Sequence, residues 1–226
     1  MKKFLCAVLV VLFLLSCGAA FGAAAKKPAA KPANPAAKGR TEEMKRMSVF
    51  LSNFTETGLF NFRVGDDYGD EEATDLSSGE GFQTLIHFGV RHNYINNYNS
   101  RIKRCKDKDC EYGSLTLEGK FVADAVKRYF DLKLKNQSAM DMEPPLYYDG
   151  KLYHFEGADG EAVYYAEVKE VSKKGKTVTM TGDIYNAEDR KDRPGTFTAI
   201  AKPHKWNGKD TWAILSLQTD WNEEED

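Results

Sequence analysis

Cysteine and histidine carry the most versatile side-chain chemistry in this chain. Cys105 and Cys110 lie five residues apart in a polar loop. In an exported chain, which the leader described below predicts, such a pair most often forms a disulfide. A zinc site would need two further ligands, and no residue near the pair has the spacing of a zinc motif. We therefore predict a Cys105–Cys110 disulfide, with no metal ion and no cofactor.

The four histidines do not form a metal or catalytic motif. His87 and His92 are separated by about 140° around a helix, so they do not share a face as a zinc-binding pair does. His154 lies on a predicted strand among tyrosines, and His204 follows Pro203 at a predicted strand end. A P-loop, a dinucleotide-binding fingerprint, a Gly-x-Ser-x-Gly turn and a His-Glu-x-x-His helix are all missing from the sequence. Each histidine is therefore more typical of a packed or surface residue than of a ligand.

Tyrosines cluster on the strands predicted after residue 145. A tyrosine offers apolar area with a polar tip, which suits a ligand pocket and also suits the face of an ordinary sheet. The second half of the second predicted helix is unusually polar. From these two observations we predict a ligand-binding cavity between helices and sheet, lined by Arg91, His92, Tyr148, His154 and Tyr165. An enzyme acting in this cavity would use His154 or Asp183 as its base.

The strands that must position these side chains follow from the period-two pattern of residues 146–221. Apolar and polar side chains alternate there, and turn signals separate the runs, which predicts an antiparallel meander. Asp149 and Gly150 predict a type I′ hairpin turn, which needs positive φ at both residues. Pro203 is expected to end a strand because proline cannot donate to a ladder.

Three amphipathic helices are predicted before this sheet. Their N-caps are expected at Thr41, Ser77 and Thr116, and Ser77 forms a capping box with Glu80. Helices followed by strands predict an α+β fold, in which three N-terminal helices pack on a curved antiparallel β-sheet.

The element order, together with the Trp-containing last strand at residues 211–217 (TWAILSL), resembles the NTF2-like α+β cone over about residues 41–221. That resemblance implies a cavity between helices and sheet, in which such cones can host an isomerase, dehydratase or hydrolase. The strings at residues 118–122, 127–130 and 152–160 are also similar to a group of uncharacterised bacterial exported proteins. This second resemblance implies no activity.

Residues 1–22 predict a signal peptide, because Lys2 and Lys3 precede twelve apolar residues that are too few for a membrane span. Two cleavage patterns fit. Leu-Leu-Ser-Cys ending at Cys17 resembles the lipobox of bacterial lipoproteins and would place a lipid on that cysteine. The small residues at 20–25 suit ordinary signal peptidase, and an uncleaved anchor is a third alternative.

Residues 23–40, rich in Ala, Lys and Pro, predict an extended linker, and residues 222–226 predict an acidic tail. Between them lies one α+β domain, at residues 41–221. Of the 32 Lys and Arg residues, seven precede residue 41, where there is no acid. The remainder of the chain therefore holds 25 basic and 34 acidic residues, a net charge of −9, which argues against a nucleic-acid partner.

The combined prediction is an exported bacterial protein, either periplasmic or anchored as a lipoprotein, that reaches the membrane only through its leader or a lipid. We predict a non-enzymatic module that binds a small ligand or an envelope partner. Two alternatives stay open: an NTF2-like enzyme (isomerase, dehydratase or hydrolase), and a structural interaction protein that pairs through exposed sheet. A homodimer is compatible with each of them.

Overall fold

The computed structural model describes residues 35–68, 72–157 and 163–222, with side chains from residue 41 onward. The predicted signal peptide, the predicted lipidation site at Cys17, the first part of the linker and most of the acidic tail lie outside these residues. Three helices and ten strands occur in the described part. Their bounds are α1 Pro35–Thr55, β1 Phe62–Arg63, β2 Thr74–Asp75, α2 Gly79–Arg101, β3 Lys103–Arg104, β4 Leu115–Glu118, α3 Gly119–Phe130, β5 Tyr147–Tyr148, β6 Leu152–Phe155, β7 Tyr164–Lys174, β8 Thr177–Asn186, β9 Gly195–Trp206 and β10 Lys209–Trp221.

The strands form two sheets, and the fold is α+β, as predicted. The larger sheet has the order β2-β1-β10-β9-β8-β7, with one parallel pair between β1 and β2. The smaller sheet is antiparallel and has the order β3-β4-β6-β5. The single meander predicted over residues 146–221 is therefore wrong in one respect. The β5–β6 hairpin leaves it and joins β4, because β4 supplies an unpaired edge beside β6.

Aromatic rings form the centre of the core between the helices and the larger sheet. Phe54 on α1 contacts Phe88 on α2 and Phe130 on α3, with ring centroids 5.5 Å apart in both pairs. Phe62 of β1 lies 5.8 Å from both Phe54 and Phe130. All four rings are at most 1% exposed. Because burial of large apolar rings dominates folding energetics, this cluster fixes the three helices against the larger sheet.

Hydroxyl groups on α1 satisfy backbone groups on the outer edge of β7. They lie on one face of the helix because positions separated by three or four residues coincide in an α-helix. The three hydrogen bonds run from Val168 N to Ser48 Oγ (2.9 Å), from Ala166 N to Ser52 Oγ (3.1 Å) and from Thr55 Oγ1 to Tyr164 O (2.7 Å). The edge strand thus finds its partners on a helix instead of on a further strand.

The helix starts differ from the sequence-based expectation by a few residues. Helix α1 begins at Pro35 instead of Thr41, inside the predicted linker. The N-cap of α2 is Ser78 instead of Ser77, and its hydroxyl accepts from Gly81 N. Thr116 is not an N-cap but a buried residue of β4, which ends where α3 begins. None of the helices in the described ranges is long and apolar enough to cross a membrane.

Two turn predictions are also corrected. Between β5 and β6 only Gly150 has positive φ, so the turn is not type I′. The Asp149 carboxylate instead accepts from the amides of Lys151 and Leu152, at 2.8 and 2.7 Å. Pro203 does not end β9, which continues to Trp206. Proline is tolerated there because β8 pairs with β9 only up to Ala201 and leaves the next residues without a neighbour on that side.

Candidate functional site

Three strands of the smaller sheet bring the polar loop at residues 105–114 next to β6. The loop joins β3 to β4, and Cys105 N donates to Ser114 O at 2.8 Å to close it. Strand β4 pairs with β6 so that Thr116 lies opposite His154. This register places His154 directly under the loop, although the two are distant in the sequence.

The cysteines and His154 form one group, which we call the Cys–His cluster (Cys105, Cys110 and His154). Each Sγ lies 3.5 Å from His154 Nδ1, and the three atoms are within 4.8 Å of one another. Both cysteines are half-buried free thiols. The predicted disulfide is therefore not formed in this structure. Both sulfurs instead lie within contact distance of one imidazole nitrogen.

A carboxylate fixes the orientation of the imidazole ring. Asp149 Oδ2 lies 3.2 Å from His154 Nε2, and Asp149 Oδ1 is held by the two turn amides described above. Because a carboxylate only accepts, Nε2 donates its proton to Asp149, and in the neutral ring Nδ1 then presents its lone pair to the sulfurs. Metal-binding histidines commonly have this second partner, which sets the tautomer.

Gly113 lets the cysteine loop lie against β6. Its φ is +126°, a conformation that L side chains rarely adopt. A Cβ at this position would lie 2.2 Å from the carbonyl carbon of Phe155. Ser114 adds two hydrogen bonds to the Glu156 carboxylate, one from its amide at 3.0 Å and one from its hydroxyl at 3.1 Å. The loop position is thus set by backbone contact as well as by side chains.

The two S···N separations of the cluster match those of a tetrahedral metal site. With Zn–S near 2.3 Å and Zn–N near 2.05 Å, a tetrahedral angle gives an S···N separation of about 3.6 Å. Both S···N separations in the cluster are 3.5 Å. Two thiols and an imidazole are also donors that zinc accepts. The donor atoms and these two separations therefore suit a zinc-class ion.

The Cys105 thiol shows no sign of activation as a nucleophile. Desolvation raises the pKa of the Cys105 thiol, and the neighbouring Cys110 thiol raises it further. A reactive cysteine needs the opposite, a pKa lowered by nearby positive charge. This argues against catalysis by the Cys105 thiol, whereas a metal ion would displace its proton by coordination.

A cavity of about 450 Å³ opens beside the cluster, with Cys105 and His154 in its wall. Five basic residues line it, which are Arg101, Lys103, Arg104, Lys106 and Lys151. Three acidic residues line it as well, which are Asp107, Glu118 and Asp149. The lining has an excess of positive charge in a domain whose net charge is negative.

The five residues predicted to line one cavity do not converge. Of these, only His154 belongs to the Cys–His cluster. Tyr148 is on the neighbouring strand, where it pairs with Tyr153, so its side chain lies on the other face of the sheet from His154. Its hydroxyl donates to Gly150 O at 2.9 Å. Arg91 lies on α2 beside Phe155 and Glu156, in a separate small pocket. The predicted single cavity is therefore replaced by several distinct environments.

His92 lies in the aromatic core. Its ring stacks on Phe88 at a centroid distance of 5.7 Å and meets Tyr129 edge-on at 4.8 Å, and it is 5% exposed. Asn96 lies 3.3 Å from Nδ1. Burial, reinforced by the charges of Arg128 and Arg101, lowers the pKa of His92 to about 4. The imidazole is therefore neutral at physiological pH.

Tyr165 lines a groove of about 790 Å³ between α1, α2 and the β7–β8 pair. Its ring lies 5.7 Å from that of Tyr185. Glu56 also lines this groove, and burial raises the pKa of its carboxyl group despite a hydrogen bond from Asn96. The groove contains a tyrosine pair and two carboxyl groups with shifted pKa values, since hydrogen bonds from Arg193 and Arg190 lower the pKa of Glu167, but its lining includes neither thiol nor histidine.

Asp183, the other predicted base, is engaged in ion pairs. Lys169 and Arg193 both contact its carboxylate, the latter at 2.6 Å. Burial raises the pKa of Asp183, but these hydrogen bonds outweigh it and hold the pKa below the usual value. A carboxylate stabilised in this way is a weak base, so the ion pairs argue against that role.

Sequence reasoning missed the convergence of His154 with the two cysteines, because His154 follows Cys110 by 44 residues. The available signal was the Asp-Gly turn five residues before it, which supplies the carboxylate for its ring. Metal motifs are recognised by short spacings, and here the spacing is set by strand pairing instead.

No protein-family model, no curated protein sequence and no solved structure matches the chain. The function of the Cys–His cluster therefore has to follow from its geometry and its chemistry.

Proposed function

We propose that the protein is an exported binding module of the bacterial cell envelope, not an enzyme, whose ligand is a zinc-class metal ion held by Cys105, Cys110 and His154. One observation carries the proposal. Both sulfurs lie 3.5 Å from a single imidazole nitrogen whose lone pair is directed to them by Asp149. Two thiols that converge on one imidazole nitrogen, at the separation of tetrahedral ligands, suit coordination of a single ion better than simple packing.

The donor set selects the class of ion. Thiolate sulfur and imidazole nitrogen favour Zn²⁺ and Cu⁺, whereas Mg²⁺ and Ca²⁺ prefer oxygen ligands. Two thiolates and a neutral imidazole balance the charge of a divalent ion. We therefore expect Zn²⁺ and its spectroscopic substitute Co²⁺ to bind, and Mg²⁺ and Ca²⁺ not to compete.

Metal titration of the purified domain tests the proposal. We expect one Co²⁺ per chain, with a thiolate-to-cobalt charge-transfer band and displacement by Zn²⁺. Cys110→Ser and His154→Ala should each weaken binding at least about 100-fold, because one of three protein ligands is lost. His204→Ala is the matched control, since His204 lies near Asp131 and away from the cluster. Absence of stoichiometric binding by the reduced protein would contradict the proposal.

The predicted Cys105–Cys110 disulfide is the competing state of the same two sulfurs. Alkylation of the unreduced protein distinguishes the disulfide from the metal site. A metal site should yield two alkylated cysteines in the domain only after the ion is removed by a chelator. A disulfide should yield none until a reductant is added, and that result in protein taken from the cell envelope would reject the metal site.

Export is supported by the leader, whose two lysines and twelve apolar residues suit a signal peptide. The intact mass of the mature protein tests it. Either a diacylglyceryl group on Cys17 or a bare N-terminus near residue 23 is expected. The mass of the whole chain from Met1 would contradict cleavage, and the uncleaved anchor would then be the remaining alternative.

An NTF2-like cone remains our proposal for the detailed architecture. It is supported by three helices that accompany the large sheet and by the long Trp-containing strand β10, Lys209–Trp221. An experimental structure tests it directly. A cone requires the helices to enclose a cavity against the concave face of the sheet, and a flat sheet would contradict it.

A second function, metal-assisted hydrolysis, is favoured by one specific observation. Only three protein donors meet at the cluster within the described ranges, and zinc sites with three protein ligands keep a position for water. The test is hydrolysis of a chromogenic ester or phosphoester by the zinc-loaded protein. Turnover that disappears with Cys110→Ser would favour the enzyme over the binding module.

A further inference from the structure

We propose that the cavity beside the Cys–His cluster binds a small oxyanion, a carboxylate or a phosphate, which places one oxygen on the fourth coordination position of the metal ion. This inference rests on the metal site proposed above and adds the ligand class. It follows from three features of the cavity: its cationic wall, the engagement of its acidic residues, and the side on which the cluster is open.

Strand pairing places a lysine on the same face as the cluster. Lys103 lies opposite Thr116, and Thr116 lies opposite His154. Side chains of directly opposed residues project from the same face of a sheet, so these three form one row. All three line the cavity. The ammonium group of Lys103 and the imidazole of His154 therefore face the same space.

The basic residues of the wall have few internal partners. Arg101 donates to Asn93 Oδ1 at 2.8 Å and lies over the ring of Phe121. No salt bridge joins another described residue to Lys103, Lys106 or Lys151. Their charges are available to an anion that enters the cavity.

The acidic residues of the wall are already engaged. Asp149 is bound to His154 and to two turn amides. Glu118 pairs with Lys120 at 2.6 Å, and Asp107 accepts from the amide of Asp109 at 3.0 Å. Glu118 is balanced by Lys120, which lies outside the lining, whereas Asp107 and Asp149 keep their charges, so five basic residues leave the wall with a net positive charge.

The metal site is open toward this wall. Cys105 and His154 border the cavity, and no fourth Cys, His, Asp or Glu of the described chain reaches the same point. A divalent ion with two thiolates and a neutral imidazole has no net charge. The attraction for an anion therefore comes from the lysines, and the ion supplies a coordinate bond to an oxygen.

Co²⁺-loaded protein titrated with inorganic phosphate tests the inference. We expect the ligand-field bands of Co²⁺ to shift with saturation, and the shift to weaken as salt is added because the lysines are solvent-exposed. The double variant Lys103→Gln/Lys106→Gln should raise the phosphate dissociation constant about tenfold and leave the Co²⁺ affinity within about threefold. Lys174→Gln/Lys209→Gln removes two exposed lysines of the larger sheet and is the matched control.

The outcomes separate the two proposals. If no charge-transfer band appears with Co²⁺, the metal site is rejected and the oxyanion site with it. If Co²⁺ binds but millimolar phosphate and acetate leave its spectrum unchanged, the oxyanion site alone is rejected. If calorimetry shows equal phosphate affinity for the metal-free and metal-loaded proteins, the anion does not use the fourth position, which also overturns the inference.

Discussion

His92 and His154 lie in two regions that give the same side chain opposite surroundings, one apolar and one polar. His92 lies among Phe88 and Tyr129, and its pKa is lowered to about 4 by burial and by two arginines. His154 lies at the edge of a cavity, with a carboxylate on one nitrogen and two thiols at the other. The first ring serves as a packing group, and the second presents a lone pair.

The difference shows that neighbours, not residue type, decide what a histidine can do. Both rings are partly or fully removed from water, so burial alone does not distinguish them. What distinguishes them is the number of polar atoms that approach the ring nitrogens. Three of the four predictions below test this contrast, and the fourth compares both regions with a single hydrogen bond between α1 and β7.

The largest effect is expected from His92→Ala. Removing a ring that fills the aromatic core should lower the free energy of unfolding by about 3 kcal/mol, because a cavity remains. The Co²⁺ affinity should stay within about threefold. Urea unfolding and metal titration of one preparation measure both quantities. A large loss of metal affinity with intact folding would show that the two regions are not independent.

The pH dependence of stability should report the same ring. Unfolded histidine binds a proton near pH 6.5, whereas His92 in the folded protein does so only near pH 4. Between these values the unfolded state holds more protons, so stability falls as the pH is lowered, by about 2 kcal/mol from pH 7 to pH 5.

The variant His92→Gln isolates this contribution, since glutamine does not titrate. Its stability should change less between pH 7 and pH 5 than that of the native protein. Glu56, whose pKa is raised by burial, acts with the opposite sign but is present in both proteins. Equal pH slopes for the two proteins would disprove the assignment to His92.

Asp149→Asn tests the other region. The amide keeps a hydrogen bond but loses the charge that fixes the tautomer of His154, so Co²⁺ affinity should fall at least about tenfold. Asp141→Asn, an exposed carboxylate that accepts from Gln83, is the control and should leave metal affinity unchanged. Equal affinity of Asp149→Asn and native protein would show that His154 needs no second partner.

The smallest effect is expected from Ser52→Ala, which removes the acceptor for Ala166 N. Both residues line the Tyr165 groove, where water can replace the hydroxyl. Unfolding free energy should therefore fall by only about 1 kcal/mol, without a change in metal affinity. The exposed Ser100→Ala serves as the control. A loss of unfolding free energy as large as that of His92→Ala would contradict this, because the hydrogen bond would then stabilise the fold as much as the core ring does.

The α+β class, three helices and the β5–β6 hairpin could be predicted from local patterns. Periodicity and turn residues act over a few positions, and these elements depend on little else. The convergence of Cys105, Cys110 and His154 could not be predicted in this way. It depends on β4 pairing with β6, a contact between distant segments that leaves no fixed spacing in the sequence.

The predicted cavity failed for a related reason. Arg91, His92 and Tyr165 were grouped because they lie on a polar helix half and on tyrosine-rich strands. Whether such side chains meet depends on helix rotation and on sheet membership, and β5–β6 joined a different sheet from β7. A one-residue difference also turns a strand residue to the other face, as it does for Tyr148 relative to His154.

The serine and threonine hydroxyls of α1 have a consequence for how the protein behaves at high concentration. An uncovered edge strand is a template on which a neighbouring molecule can add its own strand, and repetition of that step produces fibrils. On β7, the amides of Ala166 and Val168 are already bound to α1. Growth from this side would first require the helix to detach, so α1 protects the larger sheet against polymerisation in a crowded compartment.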